Sequence, residues 1–189
     1  GFTVLTCALW LFVVAPFVMA DKSAVMTKKD FRTIEWTDLM PEEDLEALLN
    51  PPDYLDDIVD GTEEDALENP IRGTDDPAGD RYQQALRSTE IRPEFDQQLI
   101  RIPGFVVPLD FDEQQRVIRF FLVPFFGACI HVPPPPPNQI IYAESEKGID
   151  QEFLYDAFWL SGQLSATMTE NDMAISAYAM EVMAIEPYR

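Results

Sequence analysis

Five consecutive prolines, Pro133, Pro134, Pro135, Pro136 and Pro137, restrict the architecture of this chain more than any other feature. Proline fixes φ and has no amide N–H, so a run of five belongs neither inside a helix nor in a central strand. It forms a stiff strut of roughly 15 Å at about 3.1 Å per residue, rich in carbonyl acceptors and without donors. Stretches with strand patterning flank the run, so an ordered loop crossing the end of a β-structure is expected. Asn138 and Gln139 follow it. Their side chains both donate and accept, which suits them to restoring hydrogen bonds and ordering the chain where the strut ends.

Around the prolines the hydrophobic pattern has a period of two. Strands are expected over residues 98–109, 116–124, 139–145, 157–168 and 174–187, with a turn at 110–115 between the first two. Pro103-Gly104 inside the first strand predicts a bend or bulge at its middle. In the last strand both faces are fairly apolar, so much of it should be covered. Five strands, the first kinked at glycine, predict a mainly β fold: a small five-stranded OB-like barrel. The alternative is a β-sandwich with the N-terminal helices packed on it.

Three regions follow. Residues 1–20 are almost wholly apolar up to Val18-Met19-Ala20, and no charged residue occurs among them. The small Ala20 before a polar stretch resembles a signal-peptidase site, so a signal peptide is expected, with a basic n-region ahead of Gly1. An uncleaved anchor over residues 2–19 is the alternative, giving inner-membrane attachment and membrane contact through that segment only. Residues 21–93 read as an acidic extension with two short helices. Glu42–Leu49 follows Pro41, has acidic residues in its first turn, and carries a stripe of Leu45, Leu48 and Leu49. Trp36 and Leu39 are expected to dock this element on the main body, and residues 80–89 form the second helix. From 42 to 80 there are fifteen acidic residues against one base, Arg72, a composition typical of a solvated linker. Residues 94–189 form the barrel domain.

Charge excludes one class of partner. A net charge of −21 repels phosphate backbones, so no nucleic acid is expected to bind. Phe120, Phe121, Phe125, Phe126, Phe158 and Trp159 are therefore read as core rather than as base-stacking platforms. Met168, Met173, Met180 and Met183 are read as core fillers rather than soft-metal ligands. No calcium loop, nucleophile elbow or phosphate-binding glycine loop occurs.

Once residues 1–20 are removed, Cys129 is the only cysteine and His131 the only histidine. A lone thiol in an oxidising compartment must be buried, metal-bound, reactive or paired between chains. On an extended backbone the two side chains share a face, with Cα atoms about 6.5–7 Å apart. Val132, which precedes proline, favours that conformation. Three chemistries fit. Thiolate and imidazole together are zinc ligands, although two do not complete a site. His131 adjacent to Cys129 also suits a thiol-dependent enzyme, for which no resolving cysteine or third group is evident. The third is burial of both, with His131 bonded to a carbonyl that the prolines leave free.

The runs Arg101-Ile102-Pro103-Gly104-Phe105-Val106-Val107-Pro108-Leu109, Phe121-Leu122-Val123-Pro124 and Gly127-Ala128-Cys129-Ile130-His131-Val132, with the prolines, Asn138 and Gln139, resemble domain of unknown function 3299. That family occurs in exported proteins of Gram-negative bacteria. Ser161-Gly162 also fits, and the resemblance covers residues 95–187. The family has no established activity. The resemblance implies a periplasmic protein that accompanies ABC-type transporters or metal-uptake components. It therefore favours metal handling at Cys129 and His131 over thiol catalysis.

Overall fold

The protein is described here by a computed structural model covering residues 27–52, 77–128 and 135–188. Residues 1–20, most of the acidic linker, and Cys129, His131, Pro133 and Pro134 lie outside the described residues.

Five strands close on themselves. β2 (Leu99–Phe111), β3 (Val117–Val123), β4 (Ile141–Ile149), β5 (Ala157–Ser165) and β8 (Tyr178–Pro187) run in the order β2-β3-β4-β8-β5, and β5 pairs back onto β2. β4 and β8 are parallel and the other barrel neighbours antiparallel. This is a small closed barrel of OB type. Closure depends on β2, whose 13 residues pair with β5 over residues 99–105 and with β3 over residues 105–111. Ile100, Ile102 and Val106 alternate inward, where they meet Phe120, Leu122, Ile141, Leu160 and Tyr178. Three short strands complete the set among the described residues: β1 (Arg32–Thr33) runs parallel to β2, and β6 (Thr169–Glu170) pairs with β7 (Ile175–Ser176).

Several boundaries differ from the sequence pattern for physical reasons. Pro103-Gly104 makes no bulge, because pairing with β5 passes through it without a shift in register. The glycine serves a close approach instead: a Cβ there would lie 2.8 Å from Leu122 Cγ and from the Val123 carbonyl oxygen. The irregularity falls later, between Pro108 and Phe111. β4 runs past residue 145 through polar Glu146-Lys147-Gly148 and ends with Ile149 opposite Val117. The last expected strand is interrupted at Ala177, whose N–H turns away to the Pro137 carbonyl at 2.8 Å. Helix α2 spans Pro77–Ala85, starting earlier than residue 80 with a proline in its first turn.

Helix α1 (Glu42–Leu49) has the expected limits, and Leu45 and Leu48 of its leucine stripe are half-buried, but Leu49 faces solvent and the most buried residue is an acid. Leu49 is 71% exposed and Asp44 only 1%. The methionines need a similar correction. Met180 is buried, whereas Met168, Met173 and Met183 are exposed, as are Phe125 and Phe126 among the aromatics expected in the core.

The extension completes the barrel core. Ile34, Leu39 and Phe95 pack with the interior strand residues, with Trp36 against them. Two bonds to β2 fix the segment: the Trp36 indole N–H donates to the Pro103 carbonyl at 2.7 Å, and the Ile34 N–H to Arg101 at 3.0 Å. Buried Tyr178 donates its hydroxyl to the Leu39 carbonyl at 2.9 Å and accepts the Arg92 N–H at 2.6 Å. Desolvation raises its phenol above the ordinary value.

The turn joining β2 to β3 has a pH-sensitive cap. Asp112 accepts the N–H groups of Gln114 and Arg116 and the Arg116 guanidinium. The Arg116 N–H is the largest cause holding its carboxyl below the ordinary 3.8. A carboxyl depressed by folding contributes stability above its unfolded value and loses it as pH falls through the folded one. Thermal midpoints measured through an acid titration should therefore drop below pH 3.8, and Asp112→Asn should flatten part of that drop.

Candidate functional site

The connection from β3 to β4 carries the segment singled out by sequence, and its two described ends are both tied down. On the upstream side Gly127 adopts φ 77°, and the Ala128 N–H closes a turn onto the Phe125 carbonyl at 3.3 Å. Ala128 is buried in a second apolar cluster with Phe121, Val123 and Ile140. Phe105, Val107 and Leu109 of β2, with Tyr142 of β4 and Ala174, pack against it. These β2 positions alternate with the inward ones, so this cluster lies on the outer face of β2-β3-β4. OB barrels commonly bind ligands on such a face. Here the chain's own connection covers part of it. Exposed Phe126 makes an edge contact with Phe105 at 6.0 Å and a tilted one with Tyr155 at 5.8 Å.

On the downstream side Pro135 and Pro136 are buried, and Pro137–Gln139 form one 3-10 turn. The proline carbonyls are used as acceptors: Pro136 receives the Gln139 N–H at 2.8 Å, and Pro137 receives those of Ile140 and Ala177. Asn138 is fully buried. Its amide donates to Asp44 Oδ2 at 3.2 Å and to the Glu90 carbonyl at 3.1 Å, while its Oδ1 has no partner among the described residues. Gln139 donates to the carbonyls of Trp36, at 2.8 Å, and Asn138. Asp44 Oδ1 in turn accepts Arg81 of α2 at 2.6 Å. One network thus joins α1 and α2 to the end of the proline run.

Asp44 and Arg81 were not singled out by sequence reasoning. Asp44 is one of many acids in its stretch, and only its bond to an arginine 37 positions away distinguishes it. The available signal is the charge pattern itself, since a buried carboxylate is stabilised by a neighbouring base and α2 supplies Arg81.

Cys129 and His131 fall between these anchors in the sequence and outside the described residues. Among the described residues no three His, Cys, Asp or Glu side chains converge as a metal site.

The sequence profile of one family, described as a protein of unknown function (DUF3299), matches residues 36–187. The chain belongs to that family. The DUF3299 match begins at Trp36, well before the residue 95 at which the resemblance started. It therefore takes in α1, α2 and the Asp44–Asn138 network. A crystal structure of a DUF3299 family protein from Pseudomonas aeruginosa PAO1 is similar, with a TM-score of 0.59 and 28% identity. The similarity covers 84% of this chain and 97% of that one. No curated protein matches.

Proposed function

We propose that this DUF3299 protein is a non-catalytic periplasmic accessory protein. It binds zinc through Cys129 and His131, in company with a component of an ABC-type transporter or metal-uptake system. The observation that carries this reading is the double anchorage of the connection. Buried Ala128 precedes the cysteine–histidine pair, and buried Pro135, Pro136 and Asn138 follow it. Positioning ligands between ordered, hydrogen-bonded ends lowers the cost of ordering them when the metal arrives. A thiolate and an imidazole suit zinc, and two ligands leave positions for a partner or a carboxylate to fill. A net charge of −21 also favours the approach of cations over anions.

Zinc stoichiometry measured on metal-free protein tests the reading. One equivalent is expected at micromolar affinity or tighter, and Cys129→Ser and His131→Ala should each weaken it by at least roughly tenfold. A parent protein that binds no zinc would sink the proposal. Alkylation of Cys129 with a midpoint well below about 8.5 would instead support thiol chemistry.

A further inference from the structure

Between β4 and β8 the barrel gapes. The two strands pair only over residues 141–144 and 178–181. Beyond that point β4 continues beside β3 to Ile149, and β8 continues beside β5 to Pro187. Among the described residues each strand therefore has one edge without a strand partner, over residues 145–149 on β4 and 182–187 on β8. Such edges offer rows of N–H and C=O groups for another strand.

A cleft of about 1250 Å³ follows this gap. Its lining includes apolar Ile149, Phe158 and Met180, all buried, with Val182 beside them. Charged residues along it are unequal in sign. Glu144, Glu146, Asp150 and Glu181 face Arg119 and Lys147, and Arg119 is already bound to Glu144 and Asp110. Glu146 and Glu181 have no ion-pair partner among the described residues.

We propose that this cleft takes up an extended basic segment of a partner protein as an added strand. Because β4 and β8 run parallel, one incoming strand can bond to both edges in a single orientation. The free edges set its length at about five or six residues. Side chains on such a strand alternate between faces, so apolar ones would enter the floor while lysines or arginines reach the carboxylates. The acidic linker of this chain has the wrong charge for the site, and two copies each carrying −21 repel one another. This inference is independent of zinc binding.

Fluorescence anisotropy of the full chain with a labelled peptide of about six residues, alternating lysine and valine, provides the test. Micromolar binding that weakens with salt is expected, with none for the glutamate–valine counterpart. Reversing charge in the Glu146→Lys, Glu181→Lys double variant should weaken it about tenfold or more. Methylating alternate peptide nitrogens, which removes backbone donors but keeps the charges, should weaken it similarly. Amide exchange should slow over residues 145–149 and 182–187. Absence of binding, indifference to methylation, or protection at other strands overturns the proposal. So does a dimer that protects these same edges.

Discussion

Alanine at position 162 is expected to destabilise the fold by about 3 kcal/mol, the upper part of the range for forcing atoms into a packed interior. A Cβ on Gly162 would lie 2.2 Å from the carbonyl oxygen of Glu181 and 3.0 Å from Met180 Cγ. The first of these neighbours is backbone, which cannot swing aside as a side chain can. The contact also sits where the β5–β8 register shifts, Ser161 opposing Ala184 and Gly162 opposing Val182. Relief would require the two strands to separate at one of the barrel's closing seams. Urea unfolding of Gly162→Ala should show the midpoint falling with little change in slope. A change within roughly 0.5 kcal/mol of the parent, as at an indifferent surface position, would show that the seam accommodates the methyl group.

The second large effect concerns the network joining extension and barrel. Asp44→Ala leaves Arg81 without its carboxylate and Asn138 without one acceptor. Breaking a fully buried pair costs about 3–5 kcal/mol, and the arginine side chain here is 35% exposed, so about 2–3 kcal/mol is expected. Asn138→Ala should cost about 2 kcal/mol by removing the amide bonded to Asp44 and to the Glu90 carbonyl. The double variant should fall short of the sum by about 1 kcal/mol, because the two residues share a bond. If that network orders the cysteine–histidine connection, Asn138→Ala should also weaken zinc binding roughly tenfold, as losses behind metal ligands do. Strict additivity of the stabilities, together with unchanged zinc affinity, would make Asn138 a local fixture with no influence on the connection.

These two sites differ in how far they could be read from the chain. The barrel strands were legible because Ile100, Ile102 and Val106, or Tyr178 and Met180, recur at a spacing of two, which only a half-buried strand explains. The end of β4 was not. Glu146 and Lys147 look like loop residues, and what keeps them in a strand is pairing with β3 at Val117. The inward side of α1 is only partly legible for a related reason: Leu45 and Leu48 are half-buried as the pattern implies, but Leu49 is not. Local amphipathicity pointed to the leucines, while the burial of Asp44 depends on Arg81 and Asn138, at separations of 37 and 94 residues. Asn138 and Gln139 were recognisable as hydrogen-bonding groups at the end of the prolines. Their partners, Asp44, Glu90 and Trp36, were not, because side-chain chemistry gives donors and acceptors without saying which meet.

The Tyr178 hydroxyl, bonded to the Leu39 carbonyl across 139 residues, ties the segment of the extension that completes the barrel core to β8. β8 also supplies the seams with both β4 and β5. The segment around Leu39 thus lacks one of its buried partners until Tyr178 has emerged. Contacts of such sequence separation form slowly, since a long loop must close before they contribute. A chain organised in this way is expected to complete its core only after β8 has been made. A truncation before Tyr178 would therefore leave not a shortened barrel but an unfolded polypeptide.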